Sequence, residues 1–168
     1  PNAEAVLRKF ADSLTVGAKT PLDKSRAIFS WVQDNVKYIA FEAGYGGFIP
    51  RNAEDVYAKR YGDCKDMANI ITTLHKMAGL NANLVWIGSR DLPYSVKTLP
   101  SSSNFNHMIS VFVDNGNYYF LDATGRYQPY GYPTSMIQGK DCMICHGADS
   151  CSIVQVPIME MKKNMVSD

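Results

Sequence analysis

Three residue types that together move acyl groups occur along this chain in one order: Cys64, His107 and Asp122. The cysteine lies in Tyr61-Gly62-Asp63-Cys64-Lys65-Asp66. Gly62 reads as the break before a helix, Asp63 as its N-cap and Cys64 as its first helical residue, with the Asp63 side chain accepting from the Asp66 amide. Met67, Ala68, Ile71, Leu74 and Ala78 then recur at helical spacing, and Gly79 ends the run. Cys64 falls on the same apolar stripe, so its thiol is expected to face the body of the protein. Converging backbone amides and the helix dipole favour thiolate there, the form that attacks carbonyl carbon. Two facts weigh against this. A buried cysteine on an apolar helix face is usually a small hydrophobe. Asp63 and Asp66 also oppose a thiolate unless Lys65 and a histidine cation offset them. Position alone does not make a nucleophile; a base is required.

Geometry separates the three histidines as candidates. His75 follows Cys64 by eleven helical residues, roughly 16 Å, and reads as a helix-surface or C-terminal-turn residue. His146 sits in an expected turn, with only Asp149 of the same turn nearby. His107 lies on an expected strand, Phe105 to Val113, joined through Asn115-Gly116 to a second, Tyr118 to Asp122. Asn-Gly between two such runs signals a two-residue hairpin. The resulting register pairs Val113 with Tyr118, Val111 with Phe120 and Ile109 with Asp122. That puts His107, Ile109, Val111, Tyr118, Phe120 and Asp122 on one face. His107 and Asp122 become diagonal neighbours, roughly 7–8 Å apart at the backbone. The carboxylate can then hold one imidazole nitrogen and leave the other to take a thiol proton. A histidine–aspartate pair that only satisfies itself at a sheet end is the competing reading. A polar pair on a buried face is costly without a task, and the Cys64 helix is expected to pack on this sheet.

The elements that position these groups change character along the chain. Helices come first: Ala3 to Leu14, one opened by Thr20-Pro21 that frays near Val36-Lys37-Tyr38, a short one from Ala53 to Lys59, then the Cys64 helix. Strands follow: Asn83 to Ile87, the hairpin, and a last pair, Cys142 to Cys145 and Ser152 to Val156, around His146-Gly147. Helices then strands, without βαβ alternation, predict an α+β fold with an antiparallel sheet. The 168 residues, 46% apolar, suit one core. A single domain over 1–168 is expected, with its centre at roughly 24–138 and a C-terminal hairpin extension over 139–168. The near-balance of 17 basic and 16 acidic residues leaves no electrostatic footprint for nucleic acid. No apolar run reaches the roughly 18 residues of a membrane span. The start at Pro1, without a methionine, reads as an excised domain or a processed product.

Tyr61 to Asp66, preceded by Gly-Gly-Phe-Ile-Pro-Arg at 46–51, resembles the signature of the transglutaminase-like superfamily, and most closely that of bacterial domains from larger multidomain proteins. Asn106-His107 and Leu121-Asp122-Ala123-Thr124 resemble that family's histidine and aspartate motifs, in the family's order. The resemblance implies a papain-like α+β fold and thiol acyl transfer, with Cys64 as nucleophile, His107 as base and Asp122 as orienter. It implies a peptide or protein substrate, and an extracytoplasmic, for instance periplasmic, location. It leaves open peptidase or amidase, transglutaminase, and a non-catalytic scaffold module. One oxyanion donor is expected to be the Cys64 amide. In animal transglutaminases the other is a tryptophan upstream of the cysteine. The corresponding stretch here, Tyr38-Ile39-Ala40-Phe41-Glu42, holds neither Trp31 nor Trp86, which leaves Tyr38. The candidate groove walls are the loops 44–48, 90–103 and 127–133. Tyr45, Tyr127 and Tyr130 are the candidate contacts, with Tyr94 and Tyr132 beside them, although tyrosine-rich loops as often only pack on a sheet. Such walls suit an extended peptide in an open cleft, hence hydrolysis before amine transfer.

Cys142-Met143-Ile144-Cys145-His146 has the C-x-x-C-H spacing of a haem attachment, with Cys151 close by. Its flanks read as a hairpin, and a zinc site does not match a knuckle spacing. The expectation is therefore no cofactor and no metal, with free thiols or a local disulfide. An isolated domain of this size and balance is expected to be monomeric.

Overall fold

The computed structural model describes residues 2–40 and 49–160. Four helices come first: α1 (Ala3–Leu14), α2 (Pro21–Asn35), α3 (Ala53–Lys59) and α4 (Cys64–Met77). Five strands follow: β3 (Ala82–Ile87), β4 (His107–Asp114), β5 (Asn117–Leu121), β6 (Asp141–Cys145) and β7 (Cys151–Gln155). They form one antiparallel sheet in the order β5-β4-β3-β6-β7. This is the expected α+β architecture, helices packed on an antiparallel sheet. Two short strands were not foreseen. β1 (Lys37–Tyr38) pairs in parallel with β2 (Tyr61–Gly62), apart from the main sheet. Two residues are too few to show an alternation of polarity, so only the pairing reveals them.

Helix α4 is the axis of packing, touching α1, α2, α3, β3 and β4. Its Met67, Ile70, Ile71 and Leu74 are buried together with Leu7, Ile28, Phe29, Val32, Val56, Phe112 and Leu121. Each such side chain stabilises by about 1.5–3 kcal/mol relative to exposure. The helix start is fixed by a capping box. Asp63 Oδ1 accepts from the Lys65 and Asp66 amides, and Asp66 Oδ2 accepts from the Asp63 amide. Gly62 is required beside it, because a Cβ there would lie 2.5 Å from the Asp66 Cβ.

The β4–β5 turn is of the expected kind: Asn115 and Gly116 have φ of 49° and 80°, and Val113 pairs with Tyr118 and Val111 with Phe120. The ladder ends at Ser110–Leu121, so the expected Ile109–Asp122 rung is absent. The face that α4 covers also differs from expectation. Ile109, Val111 and Phe120 do share a face, but they cluster with Val85, Ile87, Cys142 and Ile144. Helix α4 packs on the opposite face, where Thr72 bonds Ser110 at 2.8 Å and His75 lies against Phe112. Both faces of β4 are buried, and alternation alone cannot tell which of two buried faces meets the helices.

His75 is a second correction. It is fully buried rather than a helix-surface or C-terminal-turn residue. Its Nδ1 donates to the Ile71 carbonyl at 2.8 Å and its Nε2 accepts from the Ser25 hydroxyl at 2.7 Å, with Tyr130 OH on Ser25 at 2.6 Å. Burial pushes this imidazole down to about 4, only partly opposed by the Ile71 bond. It is a neutral structural link between α2, α4 and the 127–133 loop.

Candidate active site

Cys64 is the first residue of α4, a partly exposed free thiol. The Lys65 and Asp66 amides go to the Asp63 side chain, and Met67 N–H returns to the Asp63 carbonyl. The Cys64 amide has no partner among the described residues. The two carboxylates beside it are each matched by a cation. Lys65 Nζ pairs with Asp63, both 5% exposed in their side chains. The Arg51 guanidinium pairs with Asp66 at 2.8 Å. The negative charge that opposed a thiolate is thereby neutralised.

His107 opens β4, and Asp122 follows β5; both lie just past the last rung of the β4–β5 ladder. His107 Nε2 meets Asp122 Oδ2 at 2.8 Å, and Cys64 lies near enough to raise the proton affinity of the imidazole. With Nε2 on the carboxylate, Nδ1 is the nitrogen left for the thiol. Burial would push His107 down, but the bond to Asp122 and the nearness of Cys64 outweigh it and lift the imidazole to about 10. Burial would likewise raise Asp122, yet His107 and Thr124 hold it below the usual carboxylate range. A buried imidazolium–carboxylate pair results, 8% and 2% exposed in the side chains.

Two supports were not recognised in the sequence. Thr124 donates from its hydroxyl at 2.6 Å and its amide at 3.1 Å to Asp122 Oδ1, so one carboxylate oxygen is fixed while the other faces His107. Asn106 accepts from the Ser89 amide at 2.8 Å and donates to the Ser89 hydroxyl at 2.9 Å, tying the residue before His107 to the end of β3. Both stood inside quoted motifs, but only the folded register shows what they hold.

The remaining candidates separate. Tyr38 is paired with Gly62, two residues from Cys64, and is 42% exposed. Tyr45 lies outside the described residues. Tyr127 is 84% exposed beneath the Arg126 guanidinium. Tyr130 is half-buried, with its ring on Phe29 and Tyr119 and its hydroxyl on Ser25. Two cavities adjoin the constellation in sequence and register. One of about 340 Å³ is lined by Gln33, Lys37, Tyr38, Thr124 and Arg126. One of about 360 Å³ is lined by Trp86, Val96, Pro100, Phe105 and Met143; Phe105 lies two residues before His107, and Trp86 pairs with Met108. The C-x-x-C-H stretch is split by its strand. Cys142 is buried in the apolar cluster and Cys145 points to the other face, so the two thiols cannot flank one haem.

The fold and the order of these motifs define a class, and the comparison of the sequence with protein families names it. The model of the transglutaminase-like superfamily matches residues 8–123, and the chain belongs to that superfamily. Among solved structures, the fold resembles a candidate protease from Parabacteroides distasonis, with TM-score 0.68 and 12% identity, over 91% of this chain and 28% of that one. It also resembles a candidate cysteine protease from Cytophaga hutchinsonii, with TM-score 0.54 and 20% identity, over 93% and 53%. EGTA-treated LapG of Legionella pneumophila gives TM-score 0.51 and 14% identity, over 73% and 72%. The chain thus spans about a quarter of the first of these proteins and about half of the second. Comparison with curated proteins returns no match. No helix among the described residues is long and apolar enough to cross a membrane.

Proposed function

We propose that this domain is a thiol hydrolase of peptide amides, with Cys64 as nucleophile, His107 as proton carrier and Asp122 as its orienter. The carrying observation is His107, hydrogen-bonded to Asp122 at 2.8 Å and close enough to Cys64 for the two to interact. Nδ1 of the His107 imidazolium holds the proton that Cys64 gives up, and the sulfur bonds the amide carbon, pushing the carbonyl pair onto oxygen. The Cys64 amide meets that oxyanion, and Tyr38, held beside Gly62, is the candidate second donor. The imidazolium then gives its proton to the departing amine as the C–N bond breaks and the thioester forms. Water, deprotonated by His107, attacks the thioester and releases the acid and the free thiol.

Hydrolysis is favoured over amine transfer because the flanking cavities are open. Exposed Lys37 and Tyr38 line one and exposed Ser102 lines the other, and Cys64 is itself partly exposed, so water can reach a thioester there, which amine transfer must shield. The candidate proteases among the structural relatives are consistent with this reading. The apolar cavity suits a hydrophobic side chain of the peptide, and the polar one a hydrophilic neighbour.

The test is a peptide library incubated with the protein and a tagged primary amine, read by mass. Cleavage that is lost in Cys64→Ala is the expected result. Tag incorporation at glutamine without cleavage would establish amine transfer instead. Neither product, together with Cys64 alkylation no faster than an ordinary thiol and unchanged in His107→Ala, would mark a non-catalytic module.

A further inference from the structure

Strands β6 and β7 lie beyond the residues matched by the family and carry three of the four cysteines. Three thiols allow three pairings, and strand geometry chooses among them. Cys142 and Cys145, three apart on β6, point to opposite faces, so C-x-x-C cannot close on itself. The register sets Cys142 opposite Val154 and Cys145 opposite Cys151. The hydrogen-bond alternation then fixes what kind of pair this is. Val156 N–H donates to the Lys140 carbonyl and His146 N–H to the Ser150 carbonyl, so Lys140–Val156 and His146–Ser150 are bonded positions. Cys145–Cys151, one step from the latter, is a non-hydrogen-bonded pair. In such pairs the Cα atoms approach to about 4.5 Å and the side chains are closest. That separation lies within the range of roughly 4.4–6.8 Å that a disulfide spans.

We propose that Cys145 and Cys151 form a disulfide that staples the β6–β7 hairpin when the domain meets a small-molecule disulfide such as oxidised glutathione. Exposed Cys151 is the point of entry, since burial pushes the Cys145 thiol up. The Cys151 thiolate, its proton lost to solvent, attacks one sulfur of the oxidant and expels a glutathione thiolate. The Cys145 thiolate then attacks the Cys151 sulfur of the mixed disulfide, forming the Cys145–Cys151 bond and expelling the second glutathione. Two cysteine thiols are oxidised, and one glutathione disulfide is reduced to two thiols. Cys142 takes no part: it is buried opposite Val154, and burial pushes its thiol up to about 12. The staple holds β7, the outer strand of the sheet, against β6, whose Met143 lines the apolar cavity.

The intact chain is equilibrated in glutathione buffers of increasing oxidised fraction, quenched with acid, alkylated in denaturant and cleaved on the N-terminal side of aspartates. Cleavage before Asp149 separates Cys142 and Cys145 from Cys151. The expected product is the 141–148 peptide joined to the peptide that starts at Asp149, lighter by two hydrogen atoms than the two together. Fragmentation should place the alkyl group on Cys142. Cys151→Ser, an exposed change, should abolish the linked species and leave Cys145 alkylated. Alkylation of both Cys145 and Cys151 at the most oxidising ratio would overturn the proposal. So would a link to Cys142, or a glutathione adduct on Cys151 that never resolves.

Discussion

Arg51 grips both carboxylate oxygens of Asp66, its backbone amide on Oδ1 at 2.8 Å and its guanidinium on Oδ2, Nε at 2.9 Å and Nη2 at 2.8 Å. Asp66 also closes the capping box that starts α4, so one carboxylate sets both the helix start and the local charge beside Cys64. Its side chain is only 5% exposed, and removing the partner leaves a buried charge unpaired. Arg51→Ala is therefore expected to cost roughly 3 kcal/mol in urea unfolding. It should also slow iodoacetamide labelling of Cys64, because an unmatched carboxylate opposes negative charge on the sulfur. Normal stability with normal labelling would show that the pair does neither job.

The two buried histidines bias stability in opposite pH windows. His107 binds its proton more tightly folded than unfolded, at about 10 against an ordinary 6.5. Its contribution is therefore complete below about 6.5 and is lost as pH rises toward 10. His75 is the reverse, held neutral with its proton affinity lowered to about 4. Its contribution is present above about 6.5 and is lost as pH falls toward 4. Denaturant midpoints measured across pH should show an alkaline slope that flattens in His107→Gln and an acid slope that flattens in His75→Gln. A His107→Gln curve parallel to wild type above neutrality would mean that the imidazole is not held charged.

What could be read from the sequence divides along local and non-local lines. The Asp63 cap, the Asn115-Gly116 turn and the ordering of helices before strands are set by neighbours within a few residues, and the structure has each of them. His75 could not be placed, because its burial depends on Ser25, 50 residues away in the chain, and on Tyr130, which lies 105 residues from Ser25. The face of β4 that meets α4 was hidden for a related reason. Helices cover one side and the Ile137–Val156 cluster covers the other, so both sets of alternating residues on β4 are buried. The meeting of His107 with Asp122 was legible because one hairpin register links them. That of Arg51 with Asp66 was not, since no local periodicity relates the two.

Thr124 offers the finest probe of the constellation. It donates twice to Asp122 Oδ1, leaving Oδ2 for His107, and it touches neither His107 nor Cys64 in any hydrogen bond among the described residues. Thr124→Val removes the hydroxyl donor and keeps the amide, which frees the carboxylate to rotate. A hydrogen bond to a charged group is worth about 1.5–3 kcal/mol, so a fall of roughly tenfold or more in kcat is expected. Asp122→Asn should cost more, on the order of 10²-fold or greater, because an amide N–H turned toward Nε2 forces the ring proton onto Nδ1, the nitrogen that must receive the thiol proton. Thr124→Ser keeps the hydroxyl and should restore most of the rate. That rescue separates the hydrogen bond from the shape of the cavity that Thr124 also lines. A change confined to KM, or equal losses in Thr124→Val and Thr124→Ser, would assign Thr124 to substrate contact and leave Asp122 positioned without it.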